Sequence, residues 1–389
     1  TSTVEMTRQI WRMSGERAAS IGTLGVTTPD ESVSTGLTTP DIVTFLSNMS
    51  GLAREGVTHV AYEASSHGLS QYRNEGLPVM AAGFTNFSRD HLDYHADMDE
   101  YFAAKMRLLD EVVADDATII VWTAPGEWTD RAIEHARKRN LRVFTVGEQG
   151  ENDHNGIRLL AHTPTQLGQE LEVEHDGQKR TIKLPLIGAY QSANALVAAG
   201  LALATGIDAG RVFDAVARLQ PVRGRLERAA IAPSGAPSYI DYAHTPDAIE
   251  SAIAALRPHV TGRLITVVGA GGDRDTGKRA PMGEVASRLS DIVIVTDDNP
   301  RGEDASAIRS QVMSKAGENT REVGDRKQAI GAAIAEAQKD DIVLVAGKGH
   351  ERGQIIGSGE KMRVLPFDDV EVARECAALI GKGAWESGQ

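Results

Sequence analysis

The sequence predicts an α/β fold made of mainly parallel, doubly wound sheets in more than one domain. Short apolar runs rich in β-branched residues alternate with helical runs, which is typical of parallel sheets covered by helices. This alternation occurs twice along the 389 residues, a length typical of two or three domains. Because 41% of the residues are hydrophobic, the chain can bury substantial cores.

The first alternation occupies the N-terminal half of the chain. Ser2 and Glu5 have the spacing of a capping box, so we expect a helix to begin there. Two alternating runs flank Asp176-Gly177, a strong hairpin signal that predicts an antiparallel flap on the sheet. The Ala-rich stretch 189–206 predicts a helix that ends at a glycine. The remaining strands of this half are expected at 57–65, 81–88, 117–124 and 141–147, and its helices near 41–55, 97–113 and 128–139.

The second alternation predicts another α/β domain of ordinary size. The expected domains are 1–227 and 228–389. The strands of the second domain are expected at 238–242, 263–269, 291–296 and 341–346, and its helices near 247–257, 280–289, 305–316, 326–338 and 369–380.

Composition excludes several classes of function. The formal net charge of −13 argues against broad binding to nucleic acid or to acidic membrane surfaces. The single cysteine, Cys376, rules out an intrachain disulfide and a cysteine zinc site. No apolar run approaches the ~18 residues of a membrane helix, and the N-terminal residues lack the pattern of a signal peptide. We therefore expect a cytoplasmic protein with no nucleic-acid or membrane partner.

Polar clusters follow two predicted strands of the first domain, at the sheet edge where ligands bind in such folds. Glu63 follows one strand, and His91 and His95 follow the next. A carboxylate and an imidazole at neighbouring strand ends can converge on one metal, and Mg²⁺ prefers oxygen ligands and shares its shell with phosphate. The four-residue spacing of the two histidines also occurs in zinc sites. Since no third soft ligand follows, magnesium is the better interpretation.

Four polar clusters follow strands in the second domain. A glycine-rich run at 269–274 lacks the GxGxxG spacing, so it gives weak support for a dinucleotide site. Arg274 and Arg301 could bind a carboxylate in bidentate fashion, whereas Asp298 and Glu351 could receive an ammonium group. This combination of charges favours an amino acid as the substrate.

At these residues the sequence resembles the Mur ligase family, most closely the members that add diaminopimelate to UDP-N-acetylmuramoyl-L-alanyl-D-glutamate in peptidoglycan synthesis. The matching motifs cover almost the whole chain in family order. The resemblance implies a central ATP-binding domain, in which a mainly parallel sheet carries the flap, and a C-terminal Rossmann-like α/β domain that binds the amino acid. The motifs are EASSHGL at 63–69, TNFSRDHLDYHADMDEYFAAK at 85–105, GAYQSANAL at 188–196, RLQPVRGRLE at 218–227, DYAHTPDA at 241–248, GAGGDRDTGKR at 269–279, DDNPR at 297–301 and GKGHE at 347–351.

The resemblance also implies an ATP-dependent ligase that works in the cytoplasm as a monomer, in cell-wall biogenesis, cell shape and cell division. The D-glutamate carboxylate would take the γ-phosphate of ATP to form an acyl phosphate, which supplies a leaving group that a carboxylate lacks. The amine of meso-diaminopimelate would then displace phosphate, while Mg²⁺ would neutralise charge on the phosphates.

Individual residues match functional positions of the family. Glu63, His91 and Lys105 match the catalytic and metal-binding residues, Lys105 being the lysine that carries a carbamate there. The positions that match nucleotide-binding residues are Thr1, Asn194, Arg225, Asp241, Tyr242 and His244. The positions that match residues binding the UDP-muramoyl-dipeptide are Thr38, Thr39, Ser65, Gln71 and Arg73. The positions that match diaminopimelate-binding residues are Arg274, Asp298, Asn299, Pro300, Arg301, Gly347 and Glu351.

Some features depart from the family pattern and leave alternatives open. The chain opens at Thr1, where similar sequences end a phosphate-binding loop, so we expect most of that loop and the uridine-binding domain to be missing and the fragment to be inactive. Gln191 stands where similar sequences often carry Asn. Arg301 favours diaminopimelate, because lysine lacks the distal carboxylate that a guanidinium can bind. The alternatives are the same reaction with L-lysine or another diamine, and an inactive substrate-binding fragment.

Overall fold

The computed structural model describes residues 1–33, 38–88, 94–165 and 167–385. The chain divides into two compact units, Thr1–Gln220 and Pro221–Gln389. The boundary predicted between residues 227 and 228 lies shortly after this division. In the described ranges, every helix is too short or too polar to cross a lipid bilayer.

The first unit contains seven α-helices and ten strands in its described residues. The helices are α1 Ser2–Met13, α2 Ile42–Arg54, α3 Ser66–Ser70, α4 Met98–Arg107, α5 Glu127–Lys138, α6 Ala189–Ala204 and α7 Ala209–Val216. The strands are β1 Ala18–Gly22, β2 Gly25–Thr27, β3 Ser32–Val33, β4 His59–Tyr62, β5 Val79–Phe84, β6 Val113–Trp122, β7 Arg142–Gly147, β8 Gly156–Thr165, β9 Gly168–His175 and β10 Gln178–Leu184.

These strands form a four-stranded sheet of order β3-β2-β1-β4 and a six-stranded sheet of order β10-β9-β8-β7-β6-β5. Strands β5 to β8 run parallel, whereas β8, β9 and β10 are antiparallel and form the predicted flap. The predicted hairpin is confirmed: Asp176 and Gly177 join β9 to β10 with φ angles of 50° and 68°. Positive φ at both central residues is the requirement that an Asp-Gly turn meets at low cost.

The six-stranded sheet is covered by helices on both faces. Ile119 packs in a cluster with Phe102 of α4 and Ala132 of α5. Its neighbour Ile120 faces the opposite side, where a Cβ on Gly200 of α6 would lie only 2.9 Å from its Cγ2. Because successive strand residues point to opposite faces, one apolar run serves both helical layers.

Two features of the N-terminal region differ from the sequence prediction. The capping box is wrong: Thr1 is the N-cap of α1, and the Glu5 carboxylate instead accepts hydrogen bonds from Arg8 and Ser20. Strand β1 was not predicted, because its small, fully buried residues show no alternation of polar and apolar side chains.

The second unit contains five α-helices and eight strands in its described residues. The helices are α8 Pro246–Leu256, α9 Arg279–Leu289, α10 Ala305–Met313, α11 Arg326–Glu336 and α12 Asp369–Gly381. The strands are β11 Glu227–Ile231, β12 Pro237–Asp241, β13 Leu264–Ala270, β14 Ile292–Asp297, β15 Thr320–Glu322, β16 Ile342–Ala346, β17 Gly353–Ile356 and β18 Arg363–Pro366.

Its main sheet has the order β11-β12-β16-β13-β14-β15, with parallel pairing throughout except between β11 and β12. Strand β16 therefore lies between β12 and β13, although it follows them in the chain. Open parallel sheets bind ligands at the carboxyl ends of strands where the strand order reverses in this way. The polar loops after β12, β13, β14 and β16 all leave from this edge.

Candidate active site

Glu63 follows β4 and lies beside the end of β1. Thr23 donates two hydrogen bonds to its carboxylate, one from the backbone N–H at 2.9 Å and one from the hydroxyl at 3.0 Å. A Cβ at Gly22 would lie 2.3 Å from Glu63 Oε1, so a larger residue there would displace the Glu63 side chain. Burial raises the pKa of Glu63, whereas the hydrogen bonds that Thr23 donates to its carboxylate act in the opposite direction.

The chemistry of this donor set fits a hard cation. The Glu63 carboxylate and the hydroxyls of Thr1 and Thr23 are oxygen ligands of the kind that Mg²⁺ prefers. Within the described residues, no three His, Cys, Asp or Glu side chains converge as a preformed metal cluster. His91, the other predicted metal ligand, lies outside the described residues.

Lys105 lies on α4 and is half-buried, with its Nζ 4.9 Å from the centre of the Tyr101 ring. The same ring stacks on the buried His95 at a centroid distance of 5.3 Å, and His95 lies 5.8 Å from the His67 ring on α3. Lys105 is thus positioned beside an aromatic and imidazole cluster that connects α3 with α4. This environment is less polar than the surface of an exposed helix.

The five residues predicted to bind the UDP-muramoyl-dipeptide are brought together by hydrogen bonds. The buried Thr39 hydroxyl donates to the Glu63 carbonyl oxygen and contacts Ser65 Oγ, both at 3.0 Å. Arg73 donates to the Thr39 carbonyl oxygen at 2.9 Å, and a second nitrogen of Arg73 donates to Gln71.

These hydrogen bonds also extend to Glu63, the carboxylate predicted to bind magnesium. Thr38 contacts the Thr23 hydroxyl at 3.1 Å, and Thr23 in turn binds Glu63. The predicted dipeptide-binding residues and Glu63 therefore form one network in the described part of the first unit.

Thr1 and Asn194, predicted to bind the nucleotide, both lie near the start of a helix. Thr1 precedes α1, and Asn194 lies in the second turn of α6. Asn194 accepts a hydrogen bond from the Thr3 hydroxyl at 3.1 Å, which ties the two helices together. Gln191 lies one turn earlier on α6 and accepts from Asn194 at 3.4 Å, so glutamine is accommodated at this position.

The other predicted nucleotide-binding residues form a cluster after β12 in the second unit. Tyr242 is the centre of this cluster: the Arg225 guanidinium lies 5.1 Å from its ring centre, and the His244 ring lies 4.5 Å from it. The backbone N–H of Leu226 donates to Asp241 at 2.8 Å. Cationic and aromatic groups together suit a nucleotide.

Two side chains of this cluster have shifted pKa values. Burial raises the pKa of Asp241 to about 6, although hydrogen bonding and the Arg225 charge act in the opposite direction. Burial also raises the pKa of Tyr242, with further contributions from the Glu351 and Asp298 carboxylates. The cluster adjoins the residues predicted to bind diaminopimelate, because a Cβ on Gly349 would lie 2.6 Å from Tyr242 Cβ.

Arg301 is half-buried and adopts a φ of 52°, which is unusual for a residue other than glycine. Its Nη1 donates to the Gly272 carbonyl oxygen at 2.9 Å. A Cβ on Gly271 would lie 2.7 Å from this nitrogen, so the glycines make room for the guanidinium. Among the described residues, the hydrogen bonds of the Arg301 side chain use Nη1, which leaves Nε and Nη2 for a substrate carboxylate.

Asp298, Asn299 and Glu351 lie next to one another at the ends of β14 and β16. Asn299 Nδ2 donates to Glu351 at 3.0 Å. A Cβ on Gly347 would lie 2.6 Å from Asp298 Oδ2, so the loop after β16 packs directly on the loop after β14. Pro300 connects these residues to Arg301, and the predicted carboxylate-binding and ammonium-binding groups are therefore neighbours.

The loop after β13 carries Arg274 and is held in place by hydrogen bonds from a buried arginine. Arg279 is fully buried and donates to both oxygens of Glu303 at 2.8 Å and to the Gly271 carbonyl oxygen at 3.0 Å. These hydrogen bonds, with one from Asp273 N–H, lower the pKa of Glu303 to about 2. Arg274 itself is exposed on this loop.

Several residues of the site were missed by the sequence prediction. Lys348 is fully buried between Asp298, Asn299 and Glu351, and Gln354 donates to the Asp298 carbonyl oxygen at 2.8 Å. A charged residue between two glycines after a buried strand is a signal that could have identified Lys348. Nothing comparable marks Gln354.

Comparisons with known proteins agree with this arrangement. Residues 1–202 match the Mur ligase middle domain, and residues 224–349 match the Mur ligase glutamate ligase domain. A UDP-N-acetylmuramoyl-L-alanyl-D-glutamate--2,6-diaminopimelate ligase of Zymomonas mobilis is 56% identical over 96% of this chain and 76% of its own length. The protein of the same name from Bradyrhizobium diazoefficiens is 49% identical over 99% of this chain and 77% of its own length.

Solved structures show the same fold. A structure with that same ligase name superposes with a TM-score of 0.71 and 30% identity, and the match covers 97% of this chain and 76% of that one. A folylpolyglutamate synthase of Mycobacterium tuberculosis superposes with a TM-score of 0.68 over 89% of this chain and 85% of its own, but at 19% identity this likeness shows the fold alone. The domain matches and the close relatives show that the chain belongs to the Mur ligase family.

Proposed function

We propose that this protein catalyses the ATP-dependent addition of meso-diaminopimelate to UDP-N-acetylmuramoyl-L-alanyl-D-glutamate, a step of peptidoglycan synthesis. The observation that carries the proposal is the placement of Arg301, whose guanidinium donates to the Gly272 carbonyl oxygen at 2.9 Å and to the Asn299 carbonyl oxygen at 3.5 Å, while the Asn299 side chain donates to Glu351. The distal end of diaminopimelate carries one carboxylate and one ammonium group, and these neighbours offer a partner for each.

The first step activates the D-glutamate carboxylate as an acyl phosphate. The network of Thr38, Thr39, Ser65, Gln71 and Arg73 holds the muramoyl-dipeptide beside Glu63. Hydroxyl donors and one guanidinium suit a substrate with peptide and sugar oxygens. Thr1, Asn194, Arg225, Asp241, Tyr242 and His244 bind ATP in this proposal.

Glu63, which belongs to the same network, is one of the proposed magnesium ligands. Glu63 and His91 would hold Mg²⁺, which supplies charge neutralisation for the transferred phosphoryl group when bound. Lys105, as a carbamate, would add an anionic ligand. A carbamate forms from a neutral amine, and Lys105 lies half-buried on α4 with its Nζ 4.9 Å from the centre of the Tyr101 ring.

The second step joins the amino acid. Arg301 and Arg274 bind the distal carboxylate of diaminopimelate, and Asp298 and Glu351 receive the distal ammonium. This fixes the molecule so that its other amine attacks the acyl phosphate and releases phosphate. A bidentate guanidinium contact orients its ligand as well as attracting it.

The reaction takes place in the cytoplasm, because both ATP and the nucleotide-linked muramoyl-dipeptide are cytoplasmic metabolites. The experiment that tests the proposal supplies the intact protein with ATP, Mg²⁺, UDP-N-acetylmuramoyl-L-alanyl-D-glutamate and meso-diaminopimelate. We expect phosphate release that requires all four components, together with a product heavier by one diaminopimelate residue. Equal or faster turnover with L-lysine would contradict the assignment of diaminopimelate as the amino-acid substrate. Binding of the substrates without phosphate release would indicate a substrate-binding fragment.

A further inference from the structure

Lys348 is the most deeply buried charged group of the predicted diaminopimelate site. Its side chain is 0% exposed. It lies between Gly347 and Gly349, whose φ angles are 123° and 54°. Side chains at either glycine would collide with Asp298 or Tyr242, at Cβ distances of 2.6 Å in both cases. The two glycines therefore allow the chain to turn so that a lysine passes beneath the loop after β14.

The Lys348 ammonium determines how Asn299 is oriented. Nζ donates to Asn299 Oδ1 at 2.7 Å, and the Ile355 backbone N–H donates to the same oxygen at 2.9 Å. Because both partners are donors, the amide must present its oxygen to them and its nitrogen to the other side. On that side, Nδ2 donates to Glu351 at 3.0 Å.

Lys348 also sets the charge of the site. Its Nζ lies 3.4 Å from Asp298 Oδ1 and 3.5 Å from Glu351 Oε2. Among Asp298, Glu351 and Lys348, two carboxylates and one ammonium leave a single net negative charge, which one substrate ammonium can neutralise, whereas Arg301 and Arg274 are assigned to the substrate carboxylate. The buried cation Arg326 does not alter this balance, since Asp369 pairs with it at 2.7 Å.

We infer that Lys348 is a positioning residue for the diamino acid: it orients Asn299 and holds Asp298 and Glu351 together so that they receive one ammonium group. The inference rests on the proposed function. It assigns Lys348 no contact with the substrate, because complete burial places its ammonium behind the three side chains that it holds.

The test compares Lys348→Met, which keeps the length of the side chain and removes its charge, with the matched control Lys327→Met. Lys327 forms an exposed ion pair with Glu375 on α12 and lies outside the site. For Lys348→Met we expect the KM for diaminopimelate to rise at least about tenfold, because charge-assisted contacts are lost. The KM values for ATP and for the UDP-muramoyl-dipeptide should stay within about twofold of wild type.

A double-mutant cycle separates positioning from a general structural role. Because Lys348 acts in part through Asn299, the effect of Lys348→Met on the KM for diaminopimelate should be clearly smaller in an Asn299→Ala background than in the wild-type background. An unchanged KM for diaminopimelate, or an equal effect in both backgrounds, would overturn the inference. Absence of diaminopimelate-dependent turnover in the wild-type protein would instead overturn the proposed function, and the inference with it.

The wild-type protein provides a second measurement if Lys348→Met does not fold. Complete burial protects the Lys348 ammonium from solvent exchange, so its resonance can be followed in protein labelled with ¹⁵N-lysine. We expect this resonance to shift when the tripeptide product that carries diaminopimelate is added, and to stay in place when the UDP-muramoyl-dipeptide is added. A resonance that the tripeptide product leaves unshifted at saturation would contradict the inference.

Discussion

Gly22 and Glu63 are packed so closely that a single methyl group on Gly22 would lie 2.3 Å from Glu63 Oε1. Gly22 ends β1 and Glu63 follows β4, and these two strands pair in parallel. The parallel register therefore brings the carboxylate against a position without a side chain. The same carboxylate accepts two hydrogen bonds from Thr23, the residue after Gly22.

Gly22→Ala should displace the Glu63 carboxylate and lower activity by about tenfold or more, most clearly at limiting Mg²⁺. Overpacking of this kind should also cost about 1–3 kcal/mol of stability. The measurement is phosphate release as a function of Mg²⁺ concentration, together with urea unfolding. Gly51→Ala is the control: this helical position in α2 has open space around a Cβ, so we expect unchanged activity and a gain of about 0.5–1 kcal/mol. Full activity of Gly22→Ala would show that Glu63 does not hold the metal.

Thr39→Val should weaken binding of the UDP-muramoyl-dipeptide. The substitution keeps the shape of the side chain but removes the hydroxyl that joins Glu63 and Ser65, which leaves buried partners unsatisfied at a cost of about 1–3 kcal/mol. We expect a higher KM for the dipeptide substrate with little change in the KM for diaminopimelate. Thr181→Val, at an exposed position of β10, serves as the control and should be neutral. Equal effects of Thr39→Val on both KM values would argue against the assignment of Thr39 to the dipeptide-binding site.

Asp241 should make stability depend on pH. Its pKa is raised from 3.8 to about 6 in the folded protein, so the folded state binds more protons than the unfolded state between these values. The contribution of Asp241 to stability is therefore fully present below about pH 4 and is lost as the pH rises through about 6. Relative to Asp241→Asn, the wild type should lose about 1 kcal/mol between pH 5 and pH 7. Urea unfolding of both proteins over this range measures the difference, and a constant difference would contradict the shifted pKa.

Asp369→Asn should be strongly destabilising, because it leaves the fully buried Arg326 without its counter-ion. Breaking a buried ion pair by removing one partner costs about 3–5 kcal/mol. Arg326 also donates to the carbonyl oxygens of Asp297 and Ala346 at the ends of β14 and β16, so the KM for diaminopimelate should rise as well. Glu375→Gln removes an exposed partner and should cost less than about 1 kcal/mol. A loss below about 1 kcal/mol for Asp369→Asn would contradict the role given to the pair.

The sequence predicted secondary-structure elements correctly where the residue pattern is compatible with only one local structure. The Asp-Gly turn, the Ala-rich helix α6 and the apolar strands of the second unit form close to their predicted positions. Strand β1 and the hairpin of β17 and β18 escaped prediction for opposite reasons. The former is uniformly buried and small, whereas the latter leaves apolar side chains such as Val364 exposed.

Prediction of the site depended on strand order. The motifs after β13, β14 and β16 are distant in sequence, and they converge because β16 lies between β12 and β13. Sequence reasoning selected the residues that we propose contact the substrate, such as Asn299 and Glu351. It missed Lys348 and Arg326, since the need for a buried cation appears only when the carboxylates and their neighbours are placed together.

The most direct test of the account is the selectivity between diaminopimelate and L-lysine in the wild type and in Arg301→Ala, measured as the ratio of kcat/KM values. Loss of a bidentate charge-assisted contact should cost about 1.5–3 kcal/mol, which corresponds to a fall of about ten- to a hundredfold in this ratio. Arg288→Ala, which removes an exposed arginine paired with Glu250, should leave the ratio unchanged. If Arg301→Ala keeps the wild-type preference for diaminopimelate, Arg301 does not bind the distal carboxylate and the central claim is wrong.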